Sequence, residues 1–113
     1  MTTPDGDATA VPGPTGALFH IAEPGDWDPA APHYRAPSLG TEGFIHLSAA
    51  DQVRPTTARH YSGRTDLLLL VIDPEQVNGS AIRWEAAPHG ESFPHLYGPL
   101  PVTAVTEVRA WPD

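Results

Sequence analysis

The run Leu67-Leu68-Leu69-Leu70-Val71-Ile72 constrains this chain more than any other feature. Apolar residues without alternation leave no polar face, so a strand made from them has to be covered on both sides. The run is also far shorter than the ~20 residues a membrane-crossing helix needs. A chain of 113 residues is most simply one domain, large enough for a single core but with little to spare.

The flanking segments supply the cover. ALFHIA (17–22), GFIHLS (43–48), IRWEA (82–86) and VTAVTEVRAW (102–111) each read as strands bounded by turn residues. In IRWEA, Ile82, Trp84 and Ala86 alternate with Arg83 and Glu85. In the last segment the alternation slips near Ala104 and Val105, which predicts an irregularity there. A short helix is expected over residues 25–31, limited by Pro29 and Pro32. A second helix is expected from Ala49 to about Tyr61, with Ser48 as N-cap and Pro55 kinking or splitting it. HYRAPSLGTEG reads as a polar connection, and PHGESFPHLYGPLP holds too many prolines and glycines for regular structure throughout. Strands outnumber helices and their order is not a repeating βαβ pattern, so the fold class is α+β, with a mixed sheet of about five or more strands. No GxGxxG occurs to support a doubly wound dinucleotide fold. Residues 1–16, rich in Thr, Pro, Gly and Ala, read as a disordered tail ahead of one domain spanning residues 17–113.

Composition narrows the chemistry. The net charge is −8, from 14 carboxylates against six arginines and no lysine. Such a surface repels polyanions, so no general grip on nucleic acid is expected, while a small anion held by one or two arginines remains compatible. Without lysine there is no Schiff base and no P-loop lysine. Without cysteine there are no disulfides, no thiolate catalysis and no sulfur-bound zinc. The N-terminus lacks a basic region followed by an apolar stretch, so the expected location is the cytoplasm, with no membrane association. Protein partners are left open.

Three histidines sit where apolar residues dominate: His20 in LFHIA, His46 in GFIHLS and His95 in FPHLYGP. A single histidine on an apolar strand is ordinarily a core residue with both ring nitrogens satisfied. Polar groups are costly in a small core and tend to be grouped there, so three together point to a shared site. A three-histidine metal centre would need this residue set, but the three lie singly and far apart in sequence, and no metal site is assigned. Glu85 reads either as an outward-facing strand carboxylate or as a group at a cleft. Phe93, His95 and Tyr97 lie on a stiff, proline-bounded segment suited to a flat heterocycle, and Tyr61 offers another ring. Tyr34 and Arg35 are either exposed decoration or an anion contact. His33, His60 and His89 read as surface residues. No Gly-x-Ser-x-Gly supports serine-hydrolase chemistry.

LFHIAEPGDW, APSLGTEGFIHLS with the following Gln52, DLLLLVID, RWE and FPHLYGPL together resemble the bacterial DUF952 family, from Leu18 to about Val108. That family is similar in fold to the ADP-ribosyltransferase superfamily, which implies a split β-sheet with two or three short helices and a central cleft that holds NAD as a substrate, without a resident cofactor. LFHIA looks like the first-strand LYHGT motif of RNA 2′-phosphotransferases and poly-ADP-ribose polymerases, where the histidine contacts a ribose. GFIHLS looks like HVHLS of the former and GIYFAD of the latter, a strand that flanks the nicotinamide pocket. The resemblance therefore implies His20, His46, Glu85 and His95 as catalytic candidates, with Ser48, Tyr61, Phe93, Tyr97 and Arg35 toward the substrate. The superfamily's catalytic glutamate has no direct counterpart; Glu85 and His95 both stand as replacements. The implied activity is transfer or glycohydrolysis of an NAD or ADP-ribose-type nucleotide, the alternative being a non-catalytic module that binds a nucleotide or anionic metabolite. Arg35, Arg64 and Arg83 are the arginines considered for its pyrophosphate.

Overall fold

The computed structural model describes residues 9–78 and 81–113. Its described residues form an α+β fold with eight strands: β1 (Leu18–Ala22), β2 (His33–Tyr34), β3 (Ile45–His46), β4 (Leu67–Ile72), β5 (Ile82–Ala86), β6 (Ser92–Leu96), β7 (Leu100–Pro101) and β8 (Val105–Trp111). They make three sheets, ordered β1-β4-β8, β2-β7 and β3-β6-β5. Every ladder is antiparallel, so the expected mixed sheet is corrected to an antiparallel one.

The apolar run does what its composition demands. As the central strand β4 it sends Leu70 and Ile72 into one core and Leu67, Leu69 and Val71 into the other. The first core also takes Leu18, Ile45, Leu47 and Leu96; the second takes Phe19, Ile21, Val53 and Trp111. β8 carries the anticipated irregularity: pairing jumps from Val71↔Glu107 to Ile72↔Val105, and the Thr106 hydroxyl donates to the Val71 carbonyl at 3.3 Å.

Helical structure is shorter than expected. The segment 25–31 yields only a 3-10 turn at Pro24–Asp26. The second helix is split, a 3-10 turn at Ala50–Gln52 leading into α2 (Val53–His60). Pro55 falls in the first turn of α2, where its missing N–H has no intrahelical partner to lose. The N-cap is Ala49, not Ser48, and the Gln52 side chain accepts the Ala49 N–H at 2.9 Å. The connection after Tyr34 contains α1 (Pro37–Thr41), opened by Pro37 and closed where Glu42 and Gly43 both donate to the Ser38 carbonyl. Gly43, at φ +92°, then turns the chain into β3.

Two further segments are more ordered than their composition suggests. Phe93–Leu96 is regular: β6 is the middle strand of its sheet although it contains Pro94. Pro94 contributes only its carbonyl, which accepts the Leu47 N–H at 3.0 Å, so its missing donor is not needed there. Of the expected tail, residues 1–8 lie outside the described residues, but Val11 is 3% exposed in the second core and donates to the Ala50 carbonyl. Packing thus includes Val11, ahead of Ala17. No described helix is long and apolar enough to cross a membrane.

Candidate functional site

The sheets β1-β4-β8 and β3-β6-β5 touch at one antiparallel bridge, where Phe19 and Ser48 exchange both backbone hydrogen bonds at 2.7 and 2.8 Å. Beyond it they diverge, and a cleft of about 1030 Å³ opens between β1, β3, β6, the end of α2 and the turn at residues 86–89. That is ample for a nucleotide-sized ligand, since ligand pockets run from about 300 to 1,000 Å³.

The cleft floor is a buried hydrogen-bonded pair. His20 lies on β1, facing Tyr34 of β2, and both are under 10% exposed. Its Nδ1 is 2.7 Å from the His46 carbonyl, which can only accept, so the proton sits on Nδ1. Nε2 then accepts from the Tyr34 hydroxyl at 2.8 Å. Burial lowers the His20 pKa to about 4, so the ring is neutral at physiological pH. Burial likewise pushes the Tyr34 hydroxyl well above its usual range. Beside this pair Ser48 is 5% exposed, and its hydroxyl has no partner among the described residues.

One wall is aromatic. Alternation along β3 and β6 puts Phe44, His46, Phe93 and His95 on the cleft face while Ile45, Leu47 and Leu96 face the core. Phe44 stacks on His95 with centroids 4.0 Å apart and planes 17° apart, and His46 meets His95 edge-on at 5.3 Å. His46 and His95 are directly opposed in the β3–β6 register. Behind His95, Glu85 of β5 accepts from His95 Nδ1 at 2.8 Å and from the Tyr97 hydroxyl at 2.5 Å through the same Oε1. The Tyr97 and His95 hydrogen bonds hold the Glu85 carboxyl below its usual range, keeping it ionised.

The mouth carries charge of both signs. Glu23, Asp26 and Glu42 line it, as do Arg59, His60 and His89. Glu23 is gripped by Arg64 at 2.7 and 3.1 Å, and Arg64 also binds Asp66, so this arginine is already neutralised. Arg59 is the sole arginine lining the cleft among the described residues.

Comparison with known proteins decides the family. The model described as "Protein of unknown function (DUF952)" matches residues 21–108. The chain belongs to the DUF952 family. The crystal structure of protein CC0527 from Caulobacter crescentus is similar at 35% identity, covering 82% of this chain and 83% of that one, with a TM-score of 0.74. The solution NMR structure of CC0527 is similar at 35% identity and a TM-score of 0.71, covering 83% of both chains. No curated protein matches the sequence.

In this DUF952 domain His20, His46, His95, Ser48, Tyr61 and Phe93 all line the one cleft. Glu85, Tyr97 and Arg35 are not part of its lining. Glu85 is turned to His95 and Tyr97, and Arg35 is exposed outside the cleft. His46 differs from expectation too: its side chain is 53% exposed and pairs with Glu42 at 3.2 Å. A two-residue strand at a cleft mouth has no neighbour above it to bury the ring. Tyr34, read as exposed decoration or an anion contact, is instead buried and bonded to His20, and sequence reasoning missed Phe44, Glu42 and Arg59. Phe44, two residues before His46 in the same motif, was the one with a readable signal, because strand alternation puts both on one face. No group of three or more histidine, aspartate or glutamate side chains among the described residues is arranged to hold a metal ion.

Proposed function

We propose that the cleft holds a nucleotide of the NAD or ADP-ribose class. The observation that carries this reading is the convergence of His20, His46 and His95, from three separate strands, on one cleft with an aromatic wall. Phe44, Phe93 and Tyr61 supply flat surfaces for a base or nicotinamide ring. The Ser48 hydroxyl is free to bond a ribose hydroxyl, and Arg59 is placed to meet a phosphate. The motif resemblance to ADP-ribosyltransferase-type proteins supports the same ligand class.

Two forms of this reading differ in chemistry. In one the cleft is a transferase or glycohydrolase centre; in the other it binds without turnover. Glu85 is bonded to His95 and Tyr97 and is not presented to the ligand, so it does not stand in directly for the superfamily's catalytic glutamate.

Thermal melts of the full chain with NAD, ADP-ribose, nicotinamide and inorganic phosphate test the ligand class. A nucleotide at one hundred times its Kd stabilises the fold by about 2.7 kcal/mol, a rise of several degrees. His46→Ala should weaken that stabilisation. Melts unchanged by either nucleotide, or shifted equally by phosphate alone, sink the reading.

A further inference from the structure

We infer that His95 is a general base held in its working tautomer by Glu85, and that it activates water for attack on the ribose of the bound nucleotide. This rests on the nucleotide reading above and adds an activity to it. Glu85 Oε1 is 2.8 Å from Nδ1 of His95, so Nδ1 carries the proton and Nε2 keeps its lone pair. Among the described residues Nε2 has no partner, and the His95 side chain, 13% exposed, lines the cleft. Phe44 stacked on the ring at 4.0 Å and His46 against its edge fix its plane. Tyr97 donates to the same carboxylate oxygen, and the Arg83 guanidinium lies 5.1 Å over the Tyr97 ring, which fixes the carboxylate in turn. A base oriented by a carboxylate, itself oriented by a third group, is an arrangement built for proton abstraction.

The step balances as follows. Water donates one proton to His95 Nε2 as its oxygen forms a bond to the ribose C1′ of NAD. The bond from C1′ to the nicotinamide nitrogen breaks, and its electron pair neutralises the pyridinium. ADP-ribose and neutral nicotinamide leave, and His95 returns its proton to solvent. His95 is the catalytic residue; Glu85 is a positioning residue that acts through it. The charged and titratable groups around His95 are Glu85, Tyr97 and Arg83 from β5 and the chain following β6, with His46 and its partner Glu42 across β3.

The test is nicotinamide release from NAD by the full chain, with nucleotide-induced stabilisation measured on the same samples. Wild type should turn over, with a rate that rises through the titration of one base. His95→Gln should cut kcat by ~10²-fold or more. Glu85→Gln should cut kcat by ~10–100-fold with little change in KM, because the imidazole loses the carboxylate that fixes its tautomer. Stabilisation by NAD with no nicotinamide release overturns the general base and leaves the binding reading standing. Neither stabilisation nor release overturns both. Turnover that His95→Gln leaves intact, or a Glu85→Gln variant that raises KM and leaves kcat unchanged, overturns the assigned roles.

Discussion

Replacing His20 by glutamine should remove a pH dependence of stability that is built into the cleft floor. His20 is 7% exposed, and burial lowers its pKa from 6.5 to about 4. Between those values the unfolded chain binds a proton that the native chain refuses, so stability is full above about pH 6.5 and drains away as pH falls toward 4. A displacement of this size corresponds to about 3 kcal/mol. That is a large fraction of the 5–15 kcal/mol typical of a domain, and roughly 10 °C in Tm at this chain length. Glutamine can still donate to the His46 carbonyl and accept from the Tyr34 hydroxyl, but it has no proton to gain. Urea melts of wild type and His20→Gln at several pH values between 7.5 and 4.5 measure the difference. Carboxylates such as Glu23, Asp66 and Glu91, which hydrogen bonds hold below their ordinary values of 4.5 for glutamate and 3.8 for aspartate, act below that window and do not confuse it. Wild type should lose about 3 kcal/mol more than the variant across the range. Equal losses in both proteins, or a His20 resonance titrating near 6.5, refute the reasoning.

Three further outcomes follow from particular contacts. Gln52→Ala should cost about 2 kcal/mol in denaturant melts, because Gln52 joins the Ala49 N–H to the Ser92 carbonyl at 2.9 and 2.8 Å from an 8% exposed position. Val11→Ala should cost about 2 kcal/mol, and a chain beginning at Ala17 at least as much, if Val11 fills the second core as its 3% exposure shows. Phe44→Ala should weaken nucleotide-dependent stabilisation about tenfold in ligand concentration, since it removes the ring stacked on His95; an unchanged midpoint in a ligand titration counts against the aromatic wall.

Much of this fold is legible in its residues because burial is written into composition. LLLLVI announces a strand covered on both faces, and that is what β4 is, with alternate residues in two cores. LFHIA and IRWEA fall on strands with little error, and the slip near Ala104 marks the bulge opposite Val71 and Ile72. What local pattern could not show were elements made by contact alone. β2 and β7 are two residues each and exist because Tyr34 pairs with Leu100 across a long separation. β6 is hidden by Pro94, whose missing donor matters only if a neighbouring carbonyl is waiting for it.

The site divides the same way. The sequence by itself determined that His20, His46 and His95 are set among apolar residues, and that a small core has to group such residues. Only the tertiary structure decided how they differ, because pKa and access depend on neighbours brought from elsewhere in the chain. His20 is neutral because burial disfavours its charged form, and Tyr34, 14 residues on, caps its Nε2. His46 is open to solvent because β3 is only two residues long at the cleft mouth. His95 faces the same cleft with Glu85 behind it because the β5–β6 register sets Arg83 opposite His95 and Glu85 one step along, within 2.8 Å of its Nδ1.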